Sequence, residues 1–184
     1  SAATASSAAP HPVLVFATIS EALEAAAPYD VVAVQPGVYL ERLRIAKPVD
    51  LVGAGPLGSA VVIGVDGPTI DAFGQFVARV ANLRIEQQST GASCTMTAAV
   101  LIKGGATLAL EESSVTSDAG HCIVIQGATT KGYIVHNRVH DGKGVGVLVC
   151  DGGSALIEDN EIARNGRAGV AVLSGGDPLV RANK

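Results

Sequence analysis

The feature that most limits how this chain can fold is a repeat in its last third. ALIEDNEIARNGRAGVAVLSGG lies over YIVHNRVHDGKGVGVLVCDGG at a constant offset. Asn137, Asn160 and Asn183 are 23 residues apart, and the same spacing relates Ile134, Ile157 and Val180. It also relates Val139 to Ile162, Gly146 to Gly169, and Val124 to Val147 and Val170. One unit earlier the offset is 24, pairing Leu110 with Ile134, Ser113 with Asn137 and Val115 with Val139. Before that it is 30, from Val80, Leu83 and Ile85, and the excess predicts a loop inserted around residues 87–97.

A unit this short has no room for two helices and a turn. Its short runs rich in Val and Ile, punctuated by Gly, Asn and Asp, are strand-and-turn chemistry. Such strands can stack in parallel when the chain coils as a solenoid, each coil pairing with its neighbours over one continuous core. The fold class is therefore all-β, a right-handed parallel β-helix of about 23-residue coils. The recurring Asn residues are expected to form an internal ladder at one bend. Asn tolerates the left-handed backbone conformation of a sharp bend, and its amide can bond to the Asn of the next coil.

Upstream, residues 18–27 (TISEALEAAA) predict one helix. Ile19, Ala22, Leu23 and Ala26 follow helical spacing, Thr18 with Glu21 makes a capping box, and Pro28 ends the segment. An amphipathic helix in this position caps the open end of a solenoid. The expected organisation is a flexible Ala/Ser-rich lead at 1–12, a strand and capping helix at 13–30, and the β-helix at 31–184. The last coil stops at RANK in mid-repeat, which reads as truncation or continuation at the C-terminus.

Composition narrows the partners. A chain that is 48% hydrophobic and 16% charged is not disordered. With 13 Lys and Arg and a net charge of −4 it offers no basic stripe, so no nucleic acid is expected. No apolar run reaches the roughly 18 residues of a membrane span. The odd set Cys94, Cys122 and Cys150, without metal-type spacing, fits reduced thiols and a cytoplasmic, intracellular setting. No cofactor and no metal site is expected. His136 and His140, with His121 and Cys122, read as turn positions, because the Asn137 bend separates the first two.

Residues 30–55, with the helix before them, resemble the opening coils of pectin-lyase-like β-helix proteins. Gly37-Val38-Tyr39-Leu40-Glu41 resembles the Gly-x-Tyr-x-Glu of pectin methylesterases and of many non-enzymatic relatives. The C-terminal coils are similar to the carbohydrate-binding-and-sugar-hydrolysis (CASH) repeats of β-helix F-box proteins. The resemblance implies the fold over residues 17–184; the same coils serve lyases, esterases, epimerases and protein-binding scaffolds.

The later methylesterase motifs carrying paired aspartates, glutamine and arginine are not found. In the first strand of each C-terminal coil, neither alternate set (Val147, Val149, Val170 and Val172, or Gly146, Leu148, Cys150, Gly169, Ala171 and Leu173) holds a carboxylate or base. This argues against polysaccharide cleavage on that face. The leading expectation is a non-catalytic, protein-binding scaffold. Its contact stripe would be Ile123, Ile125, Leu148, Ala171 and Leu173, taken to point outward while Val124, Val147 and Val170 point inward. A carbohydrate site is the second expectation, at His140, Asp141 and Arg164. Substrate recognition in an F-box-type ubiquitin ligase is the third, and it would rest on sequence elsewhere. Asp141 with Arg164, and Glu158 with Arg181, are expected to pair across coils. Tyr133 aligns with Leu156 and Leu179 and is expected to pack in the core or at a strand edge.

Overall fold

The computed structural model describes residues 14–91 and 97–184. The proposed lead at 1–12 and residues 92–96 of the inserted loop, Cys94 among them, lie outside the described residues. Three parallel sheets run the length of a solenoid of about six turns. Sheet A has seven strands: Val31–Val34, Asp50–Gly53, Val77–Ala81, Thr107–Glu111, Lys131–Val135, Ser154–Glu158 and Asp177–Arg181. Sheet B has six: Gly37–Tyr39, Ala60–Val65, Arg84–Gln88, Ser114–Ser117, Arg138–His140 and Glu161–Ala163. Sheet C also has six: Leu43–Ile45, Ile70–Phe73, Ala98–Lys103, His121–Gln126, Val147–Cys150 and Val170–Val172. Each coil visits A, B and C in turn, and alternate residues from all three sheets fill one core, including Leu51, Ile85, Leu110, Ile134 and Ile157.

The Asn ladder forms as the repeat predicts. The Asn137 N–H donates to Asn160 Oδ1 at 2.8 Å, and the Asn160 N–H donates to Asn183 Oδ1 at 2.9 Å. Each amide nitrogen also reaches back one coil, Asn137 to the Leu110 carbonyl and Asn160 to that of Ile134, both at 2.7 Å. Ser113 extends the row, its N–H donating to Asn137 Oδ1 and its hydroxyl accepting from the Leu83 N–H. The left-handed conformation, however, falls one residue earlier than expected. His136, Asp159 and Ala182 carry positive φ, leaving each Asn free to point inward.

The helix α1 spans Ile19–Ala25 with the expected capping box, slightly shorter than the sequence pattern. Residues before proline avoid the helical region, and the Ala27 N–H instead donates to Asp30 Oδ2 at 2.7 Å. Glu41 locks the helix to the first coils. Its carboxylate accepts from the N–H groups of Ile19 and Ser20 and from the Ser20 hydroxyl at 2.6–3.0 Å. Burial pulls the Glu41 pKa up, but the Ser20 and backbone hydrogen bonds together outweigh it and hold the group below its ordinary value. The Tyr39 hydroxyl donates to the Gln35 carbonyl. In this chain the Glu of Gly-x-Tyr-x-Glu thus ties down the cap, while its Tyr bonds within the first coil.

Candidate functional site

The strands alternate inward and outward residues, so the three outer faces are where chemistry can be displayed. On sheet C the register pairs Ile123 with Val147, Val124 with Leu148 and Ile125 with Val149. The offset between these two strands is therefore 24, where the sequence repeat suggests 23. A slip of one residue exchanges the faces of a strand. Ile123 and Ile125 are consequently inside the coil with no exposed surface, and Val124 points outward. That corrects two of the five stripe residues.

Leu148 and Ala171 do face outward, in register with Val124. They do not form an open stripe. Leu148 and Val124 are each 3% exposed and pack with Ala98, Val145 and Cys150 in a second buried cluster, against which Leu101 and Ala171 rest. Of the predicted stripe only Leu173 is well exposed. Further up the same face the row becomes polar. Arg44, Asp71 and Leu101 are in register, as are Phe73 and Lys103. Lys103 Nζ lies 3.3 Å from the solvent-shielded Asp71 Oδ1, an ion pair without aligned hydrogen-bond geometry. Gln126, next in register after Lys103, donates to Asp151 Oδ2 at 2.8 Å.

On sheet A the outer row reads Ala109, Tyr133, Leu156 and Leu179, in register over four coils. Tyr133 and Leu179 are exposed, so this row faces outward and is not core. Lys131, Ser154 and Asp177 lie along one side of it, Glu111, Glu158 and Arg181 along the other. Glu158 and Arg181 pair at 2.7 Å, as their spacing predicts.

The structure brings His140, Asp141 and Arg164 together on sheet B. Arg164 Nε and one terminal nitrogen donate to the two Asp141 oxygens at 2.8 and 2.9 Å. His140 Nδ1 is 2.6 Å from Asp141 Oδ2, and its Nε2 is 3.0 Å from Ser114 Oγ. Hydrogen bonds from Arg164, then from His140, hold the Asp141 carboxyl well below the usual carboxylate range. The His140 side chain is only 14% exposed. Ser114 is a member that the sequence reading misses. It stands in register with Arg138, not with His140, so no constant offset points to the pair.

The remaining candidates separate. His121 Nδ1 accepts the Val145 N–H at 3.0 Å, and burial, then the Arg167 charge, lowers its pKa. The Cys122 thiol is buried; burial, then the Asp141 charge, pushes its pKa up to about 12. Cys150 is also a free, buried thiol. Among the described residues no group of three or more His, Cys, Asp or Glu is placed to hold a metal, and no helix is long and apolar enough to cross a membrane.

No solved structure matches the chain. The family described as "Right handed beta helix region" matches residues 67–184, well over half of the sequence. With three parallel sheets stacked in register around one core, the chain belongs to the right-handed β-helix family.

Proposed function

We propose that the coils act as a protein-binding scaffold whose contact face is the outer surface of sheet A. The observation that carries this reading is the row Ala109, Tyr133, Leu156 and Leu179, with Tyr133 43% and Leu179 57% exposed. With coils about 4.8 Å apart, the row runs roughly 14 Å. An apolar centre with a polar rim is the layout of a protein contact, and Tyr is among the residues enriched at binding hot spots. Placing large apolar groups in water forgoes about 25 cal/mol for every Å² left uncovered, which a partner's surface would recover. A photo-crosslinking residue at position 133, compared with one at position 84 on sheet B, tests the face. Discrete protein crosslinks are expected from 133, and they should disappear with Leu179→Ser while the melting curve is preserved. A folded protein that gives none from 133 ends the reading.

A second reading, carbohydrate binding, is favoured by the polar row on sheet C. Phe73, Lys103 and Gln126 lie in register there, and Asp71 pairs with Lys103 at 3.3 Å beside them, so an aromatic ring adjoins charged and amide groups. Glycan-array binding lost in Asp71→Asn, with unchanged crosslinking from 133, would favour this face over sheet A.

A further inference from the structure

We propose that Ser114, His140 and Asp141 form a nucleophilic centre on the outer face of sheet B that accepts a short acyl group from an ester carrying an anionic group. The inference goes beyond the scaffold reading and uses a different face. It rests on geometry. Neighbouring residues of an extended strand point to opposite faces, so His140 and Asp141 would normally diverge. Asp141 has φ of 54°, outside the strand region, and this turn returns its carboxylate to the imidazole, Nδ1 to Oδ2 2.6 Å. Arg164 pins the carboxylate with two hydrogen bonds.

The tautomer follows from the partners. An ionised carboxylate has no proton to give, so Nδ1 must donate to Asp141. In the neutral ring Nε2 is then an acceptor, and the Ser114 hydroxyl, at 3.0 Å, must be its donor. A hydroxyl donating to an imidazole that a carboxylate orients is the arrangement that activates an alcohol as a nucleophile. Ser114 also stands in register between Arg84 and Arg138 on the adjacent coils. Their guanidinium groups, half-exposed and paired with Glu86 and Glu161, are the cations nearest in register to a developing oxyanion or an anionic substrate.

The step balances without a co-reactant other than water. Ser114 Oγ bonds to the acyl carbon as its proton passes to His140 Nε2. The ester C–O bond breaks and His140 returns the proton to the departing alcohol. Water repeats the sequence on the acyl-serine, releasing the acid. Ser114 and His140 are the catalytic residues; Asp141 is a positioning residue.

The test uses the full chain with a fluorophosphonate probe, followed by peptide mass mapping, and 4-nitrophenyl acetate turnover in parallel. The expected result is an adduct on Ser114, absent in Ser114→Ala and formed at least about 100-fold more slowly in His140→Gln. Turnover should fall in parallel. An adduct elsewhere, no adduct or no turnover, or a Ser114 rate unchanged in folded His140→Gln would each overturn the proposal and leave a structural hydrogen bond only.

Discussion

The bend from sheet A to sheet B and the turn from sheet C to sheet A both redirect the chain once per coil, but they hold its length with different strictness. The A–B bend is two residues long in four successive coils: Asn82 and Leu83, Glu112 and Ser113, His136 and Asn137, Asp159 and Asn160; Ala182 and Asn183 follow the last sheet A strand in the same places. The first residue is left-handed every time, with φ between 46° and 57°, whatever its side chain. For non-glycine residues that costs roughly 1–2 kcal/mol. The inward side chains of Ser113, Asn137, Asn160 and Asn183 offset it by satisfying backbone groups on the coils above and below. The C–A turn is closed by local bonds instead. The N–H groups of Ala106, Thr130, Gly153 and Gly176 donate to the carbonyls of Lys103, Gly127, Cys150 and Leu173. Lys103, Gln126 and Cys150 are in register, so the second of these turns starts one residue late, at Gly127. A turn closed within itself can absorb an extra residue; a bend that must present an amide to both neighbours cannot.

The largest expected effect breaks the stricter element. Inserting a glycine between His136 and Asn137 would move Asn137 away from Ser113 and Asn160, or turn Val139 outward. Either outcome leaves buried amides or apolar groups without partners. We expect a loss of more than about 5 kcal/mol, read as the absence of a cooperative urea transition in the far-UV signal. A variant that unfolds like the parent would show that the bend tolerates length after all.

A smaller effect separates positions within the ladder. Asn160→Ala removes the acceptor of the Asn137 N–H and the donor to the Ile134 carbonyl, at a side chain that is fully enclosed. The expected cost is about 1–3 kcal/mol in urea unfolding. Asn183→Ala should cost less, because Asn183 is half-exposed and water can replace its amide. Equal costs would mean that burial does not set the ladder's strength.

The same contrast explains what could be read from residues alone. The ladder was legible because its chemistry repeats: a polar amide among apolar residues marks the register at each coil, and Asp141–Arg164 and Glu158–Arg181 follow from it. The face of Ile123 and Ile125 was not legible. Cys122-Ile123-Val124-Ile125 is apolar at every position, so alternation gives no sign of which residues point inward. Only the offset remained, and the Val124–Val147 match places the extra residue before Val124 when it lies at Gly127. Ser114 was missed for a third reason. Its contact to His140 is diagonal and depends on the left-handed turn at Asp141, which no spacing encodes. The polar row of sheet C lies upstream of the regular C-terminal repeats, across the insertion that separates Asp71 from its neighbours downstream.

The smallest expected effect tests the permissive turn. Deleting Gly127 should restore the offset of the later coils, with the turn closing from Thr130 to the Gln126 carbonyl as Gly153 closes to Cys150. The strands on either side would keep their registers, because Gln126 already aligns with Cys150, and Lys131 with Ser154. The difficulty is local. In the shorter turn the residue after the strand is left-handed, Asp151 at φ 53° and Ser174 at φ 50°, and Ala128 would have to adopt that conformation. Thr129 is already there, at φ 69°. Alanine pays roughly 1–2 kcal/mol for the left-handed region, and that should be most of the observed loss. Adding Ala128→Gly to the deletion should recover about 1 kcal/mol of it. Urea unfolding of the deletion and of the combined variant checks both figures. A deletion that abolishes cooperative unfolding, with no recovery from the glycine, would mean that the C–A turn constrains the coil as tightly as the Asn bend does.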